Sequence, residues 1–118
     1  MQYNFILMRF IDFNAKKKIQ IWDGIHAAFF HSDQITFGHV SLEKGAIVGE
    51  HQHVHEQWTH IIEGDMEFTI AGETTVLKPG MAAFIASNVV HSAKALTAVK
   101  VIDCFLPVRG DFVELEKK

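Results

Sequence analysis

The sequence is a succession of short apolar runs separated by turn-forming residues, with no long stretch at helical period. Amphipathic helices repeat their apolar residues at three and four positions and half-buried strands at two, so this cadence predicts an all-β barrel or sandwich. The spacing predicts strands over Ile19–Trp22, Ile25–Phe30, Gln34–Leu42, Glu50–Val54, Thr59–Ile62, Met66–Ile70, Thr74–Leu77, Ala82–Ile85, Ser92–Ala95 and Ala98–Leu106. Within Met66–Ile70 the alternation is clean, so Met66, Phe68 and Ile70 are expected to face the core and Glu67 and Thr69 the water. Gly64-Asp65 and Gly72-Glu73 read as tight hairpins, because glycine takes positive φ freely, and Pro79-Gly80 reads as a third turn.

A chain of 118 residues encloses one core but not two. Its 48% apolar and 21% charged residues are the balance of a folded globular domain. The net charge is −3, and the only basic run, Lys16-Lys17-Lys18, reads as a solvated turn, so neither a nucleic acid nor a membrane partner is expected. Cys104 is the only cysteine; it reads as a thiol buried in a strand, and the absence of any possible internal disulfide fits a reducing compartment. The Phe5 to Met8 patch is cut short by Arg9, too early for a secretory segment, and no run reaches the length of a membrane span, so a cytoplasmic protein is expected. No repeat or linker interrupts residues 1–118. The tail after Arg109 reads as terminal packing that frays over Glu114 to Lys118, within reach of a partner subunit. Ten phenylalanines exceed what a small barrel hides, which points to a homodimer.

Eight histidines are an excess for this length, and four of them, His51, His53, His55 and His60, fall within ten residues. On a strand, positions two apart share a face, so His51 and His53 can offer two imidazoles to one ion from one element. A strand histidine is also commonly a polar residue satisfied by hydrogen bonds, so the surroundings must decide. His55 shares the strand register of His53 and reads equally as a supporting group, an alternative ligand or an exposed loop residue. His26, His31, His39 and His60 have no spacing that links them to the pair and read as surface or barrel-wall residues.

Gly45 precedes His51, Gln57 follows His53, and Gly64 follows Gln57, in a register that resembles the first motif of the cupin superfamily: glycine, His-x-His, usually glutamate, then a hairpin glycine. The second cupin motif is similar to Gly72, Pro79, Gly80 and Ser87-Asn88-Val89-Val90-His91, without its usual second proline and glycine and its terminal asparagine. The resemblance spans Gly45 to Ala95 and implies one domain over 1–118, with strand and tail at 98–118: a double-stranded β-helix, or jelly-roll barrel. It also implies that facing hairpins bring His91 to His51, His53 and Gln57 as a four-ligand set for one divalent ion.

Glutamine where glutamate is usual changes the expected chemistry. Three neutral imidazoles and a neutral amide leave a dication uncompensated, which favours Lewis-acid polarisation and disfavours a redox cycle through a trivalent metal. Imidazole-rich ligation suits zinc, nickel, iron or copper, and the sequence does not choose among them.

The last strand carries a second clue. If Lys100 points outward, period two turns Val101, Asp103 and Phe105 inward, and an acid on an apolar face calls for a partner or a use. Arg109 follows Pro107 and reads either as the structural partner of Asp103 or as a two-pronged clamp for a substrate carboxylate. Together His51-Gln-His53-Val-His55-Glu56-Gln57, Glu63-Gly64-Asp65-Met66-Glu67-Phe68-Thr69-Ile70, Ser87-Asn88-Val89-Val90-His91 and Asp103-x-Phe105-x-Pro107-x-Arg109-x-Asp111-Phe112 look like the pectin-degradation cupins, which linearise 4,5-unsaturated uronates. The resemblance implies catalysis by Asp103 and Arg109, with Arg109 and Phe105 binding substrate. Trp58-Thr59-His60 and Ile85-Ala86 depart from that pattern and bear on substrate fit. A non-catalytic cupin that binds a sugar acid, and an iron-dependent dioxygenase, are the alternatives.

Overall fold

The computed structural model describes residues 9–118; the Phe5 to Met8 patch lies outside them. Ten strands form two antiparallel sheets that close into a jelly roll. The strands are β1 (Ile19–Trp22), β2 (Ile25–His31), β3 (Thr36–Leu42), β4 (Ile47–His51), β5 (Glu56–Glu63), β6 (Met66–Ile70), β7 (Glu73–Leu77), β8 (Ala82–Ile85), β9 (His91–Ala95) and β10 (Val99–Leu106). One sheet runs β1-β2-β3-β10-β5-β8 and the other β4-β9-β6-β7. Among the described residues no helix is long and apolar enough to cross a membrane.

The inward faces follow the alternation in the sequence. Phe29, Ile61, Met66, Phe68, Val101 and Phe105 are buried in one cluster, while Lys100 is exposed. Burying a side chain of this size contributes about 1.5–3 kcal/mol each, before the entropy of ordering is subtracted. Gly38 belongs to this packing: a Cβ there would sit 2.8 Å from the Phe29 ring.

Four expectations are corrected. First, β4 covers Ile47–His51 rather than Glu50–Val54, because a bulge between Val48 and His51 uses up one residue and the strand ends at His51. His53 therefore lies in the connection to β5 and not on a common strand face with His51. Second, β5 begins at Glu56 rather than Thr59, since β10 pairs with it from Glu56 to Glu63 and β8 flanks its first half from Gln57 to His60. Third, Gly64-Asp65 does not close a hairpin: it carries the chain from β5 in one sheet to β6 in the other. Gly64 has φ +84°, and a Cβ there would overlap the Ala98 carbonyl, so glycine is required for this crossing rather than for a hairpin. Gly72 does close the expected β6–β7 hairpin, with Ala71 and Gly72 both at positive φ.

Fourth, the tail folds instead of fraying, as the helix α1 (Gly110–Glu116). Phe112 stacks on Phe29 with centroids 4.5 Å apart. At the far end His31 Nε2 lies 2.7 Å from the Glu116 carboxylate, and Lys16 Nζ pairs with the same carboxylate at 3.3 Å. Lys16 also donates to the Phe29 carbonyl and is half-buried, so it is a tether and not part of a solvated turn. The helix thereby covers one end of the barrel and fixes the chain that leads into it through Arg109.

Candidate metal centre and pocket

The bulge in β4 decides where His51 points. Val48 packs against the core and lies three residues before His51, an odd separation that alternation would send to opposite faces; the extra residue restores the parity. His51 is thus paired directly with His91, the first residue of β9, and their rings are 4.1 Å apart between centroids. His53 reaches the same point from the β4–β5 connection, 4.8 Å from the His91 ring and 5.4 Å from His51. One nitrogen from each lies within 4.8 Å of the others.

Backbone carbonyls fix which nitrogen that is. His51 Nδ1 lies 2.7 Å from the Gly49 carbonyl, His53 Nδ1 2.9 Å from that of His55, and His91 Nδ1 2.8 Å from that of Val89. A carbonyl oxygen only accepts, so each Nδ1 carries a proton and, in the neutral ring, Nε2 is the nitrogen that presents a lone pair. His91 Nε2 is buried without a hydrogen-bond partner. Burial, above all, holds His91 down to a pKa of about 4, with the neighbouring histidines pushing the same way, and burial followed by the Arg109 charge lowers His53. The His53 and His91 imidazoles are thereby kept in the neutral form.

Gln57 adds a fourth acceptor. Its Nε2 donates to Thr59 Oγ1 at 2.8 Å, and Thr59 Oγ1 donates to Asp103 Oδ1 at 2.6 Å. The hydroxyl has one hydrogen, committed to the carboxylate, so it must accept from the Gln57 amide group. That turns Gln57 Oε1 toward the histidines, 3.1 Å from His53 Nε2. Four acceptor atoms then converge with no proton between them, an arrangement that a cation relieves. Borderline nitrogen ligands and one neutral oxygen fit a divalent transition ion. His55 is half-buried rather than exposed, and its carbonyl orients His53.

The wall beside Gln57 comes from β10, its neighbour in the larger sheet, and from the β10 exit. Asp103 is the cross-strand neighbour of Thr59, and Phe105 that of Gln57. Asp103 faces inward as expected, and burial pushes its carboxyl up to about 6 against the lowering effects of Thr59 and Arg109. Arg109, 6% exposed, is the residue before the first turn of α1 and makes no side-chain cap bond; its guanidinium lies over Phe112 at 3.9 Å and Phe105 at 4.7 Å. The direct Asp103–Arg109 pair is not formed. The chain turns at Pro107 and enters α1, which sets Asp111 beside Arg109 in a two-pronged pair at 2.9 and 2.7 Å, and Asp103 takes Thr59 instead. His51, Gln57, His91, Asp103, Phe105 and Arg109 all line one cavity, as Thr59 and Phe112 do. Sequence reasoning gave Thr59 and Asp111 no role, although period two places Thr59 on the face of Gln57.

The family model for the cupin domain matches residues 38–105, more than half of the chain. The chain is a cupin. Solved structures agree with the assignment. KdgF from Halomonas sp. is 29% identical with a TM-score of 0.84, covering 89% of this chain and 98% of that one. An RmlC-like cupin from Shewanella frigidimarina is 26% identical with a TM-score of 0.85, covering 89% and 96%. Salicylate 1,2-dioxygenase from Pseudoaminobacter salicylatoxidans is 19% identical with a TM-score of 0.69, covering 73% of this chain and 26% of that one, a likeness of fold. No curated protein matches the sequence. This cupin thus carries a histidine triad able to bind metal, set against an acid and a buried arginine.

Proposed function

We propose that this cupin is a metal-dependent enzyme that linearises 4,5-unsaturated uronates from pectin or alginate breakdown. The observation that carries the reading is one cavity lined by His51, His91 and Gln57 together with Asp103, Phe105 and Arg109, with His53 completing the histidine triad beside it. The likeness to KdgF from Halomonas sp. and the resemblance of the motifs to the pectin-degradation cupins support it.

A divalent ion held by His51, His53, His91 and Gln57, whether zinc, nickel, iron or copper, would supply Lewis-acid polarisation of a ring or hydroxyl oxygen. The protein's own groups do the rest. Asp111 occupies the Nε edge of the Arg109 guanidinium, which leaves the end-on edge to take the substrate carboxylate in a second two-pronged contact. The sandwich of Phe105 and Phe112 keeps that cation in plane, and Phe105 lines the ring site. Asp103 as carboxylate takes the proton of the anomeric hydroxyl as the C1–O5 bond breaks, giving an aldehyde at C1 and an enolate at C5. Asp103 then returns that proton to C4 as the enolate becomes a ketone. The conversion is an isomerisation and needs neither oxidant nor water. The neutral Gln57 counts against an oxygen-activating iron site for the reason given by its charge.

The test is to load the purified cupin with each metal in turn, measure the metal content and follow the ultraviolet absorbance of the unsaturated monouronate. Loss of the chromophore without oxygen uptake is expected. Tight binding without turnover would replace this reading with a sugar-acid-binding cupin.

We read the protein as cytoplasmic and as a homodimer. Phe30, Phe37, Cys104, Trp58 and Phe84 form a continuous row across five strands on the outward face of the larger sheet. Phe37, Trp58 and Phe84 are 39%, 50% and 47% exposed, an apolar band suited to an isologous contact. Light scattering is expected to give twice the chain mass for the wild type and the monomer mass for Trp58→Glu; a wild-type monomer at micromolar concentration overturns the dimer.

A further inference from the structure

Trp22 stands at the mouth of the metal pocket for a specific structural reason. It ends β1, an edge strand, and β1 carries a bulge between Gln20 and Trp22 in its pairing with β2. Regular alternation sends consecutive residues to opposite faces, yet Ile21 and Trp22 both line the pocket. The bulge turns the indole back over the opening. The position is held: Trp22 pairs with Ile25 across Asp23-Gly24, Gly24 has φ +72°, and its carbonyl accepts from Glu43 N at 2.9 Å.

The indole is 44% exposed, with its ring 6.4 Å from His51 and 6.4 Å from Phe112. Phe112 in turn lies under the Arg109 guanidinium. The sequence of groups across the mouth is therefore cation, Phe112, Trp22 and metal ligand. A carboxylate held by Arg109 directs the ring that bears it toward the indole and the histidines together.

We propose that Trp22 is the stacking platform for the sugar ring and selects rings with a flat, unsaturated C4–C5 segment over chair-form saturated uronates. This rests on the uronate reading above. An indole offers a broad, rigid face with little conformational entropy to lose, and a conjugated planar segment matches it where a puckered ring with axial groups does not. Trp22 is a specificity residue, outside the proton transfer and outside the metal ligands.

The experiment uses the metal-loaded full chain with the unsaturated monouronate and saturated galacturonate, comparing wild type, Trp22→Ala and Trp22→Tyr. Trp22→Ala is expected to raise KM about tenfold, a loss of about 1.4 kcal/mol of binding, with kcat within about threefold and metal content unchanged. Trp22→Tyr is expected to restore most of the affinity, which a merely structural defect would not allow. The advantage of the unsaturated over the saturated sugar in binding is expected to shrink in Trp22→Ala. In a Trp58→Phe background, where Trp22 is the only tryptophan, the unsaturated sugar should quench the emission saturably. An unchanged KM for Trp22→Ala, or an equal loss with both sugars, overturns the platform. If the wild type turns over no uronate, the reaction reading fails by itself and the quench decides: a saturable quench retains the platform, and none overturns it.

Discussion

Replacing Asp103 with asparagine is expected to lower kcat for the unsaturated monouronate by about 10²–10⁴, the usual contribution of a positioned acid–base group, with metal content unchanged. Asparagine keeps the shape and can still accept from Thr59, so the Gln57 orientation survives while the proton acceptor is lost. The pH profile sharpens the test. Burial raises the metal-free Asp103 to about 6, so the carboxylate exists above that pH, and the rate should climb with pH along an acid limb that a bound cation draws lower. The limb should vanish in Asp103→Asn. Linkage gives a control for folding. A folded-state value raised above the unfolded one means that the native protein binds the extra proton between them, so this group favours folding at low pH and opposes it above about 6. Asparagine removes that opposition, and the variant is expected to be at least as stable as wild type at pH 7. Wild-type turnover by metal-loaded Asp103→Asn would exclude Asp103 from the chemistry.

The second large effect is on the metal. His91→Ala is expected to bind the ion at least a hundredfold more weakly and to leave purification without it, as elemental analysis would show. In the wild type a chelator should lower Tm, because an ion that binds only the folded chain adds about 4 kcal/mol at a thousand times its dissociation constant. In His91→Ala the chelator should leave Tm where it is. Without metal the substitution removes a buried nitrogen that has no partner, which offsets part of the loss of packing. The ligand assignment is wrong if His91→Ala retains one ion per chain.

The strands were legible because a jelly roll with one face buried writes period two into its sequence; Val101, Asp103 and Phe105 could be assigned to the inner face on that ground alone. What alternation could not convey was where it is broken. The bulge before His51 adds one residue without changing composition, so β4 was placed too far along and His53 was put on the same strand. Helix α1 has seven residues, too few for a 3.6-residue period to declare itself, and its docking depends on Glu116 meeting His31, 85 positions away. The Arg109 partner was missed for the same reason: Asp111 is adjacent only once the helix forms. The histidine cluster was legible as a motif, and its acceptor-only inner surface required the carbonyls of Gly49, His55 and Val89 to be seen.

The hydrogen-bond chain from Asp103 through Thr59 to Gln57 also bears on how such a site can evolve. Glutamate at position 57 would bring a carboxylate with no hydrogen to a hydroxyl whose single hydrogen already serves Asp103. Either acid would then lose its donor, and two negative charges would share one buried wall. The glutamate usual in this superfamily is therefore not one tolerated substitution away. Positions 57, 59 and 103 are expected to be coupled, so that lineages with this site exchange them together or keep all three.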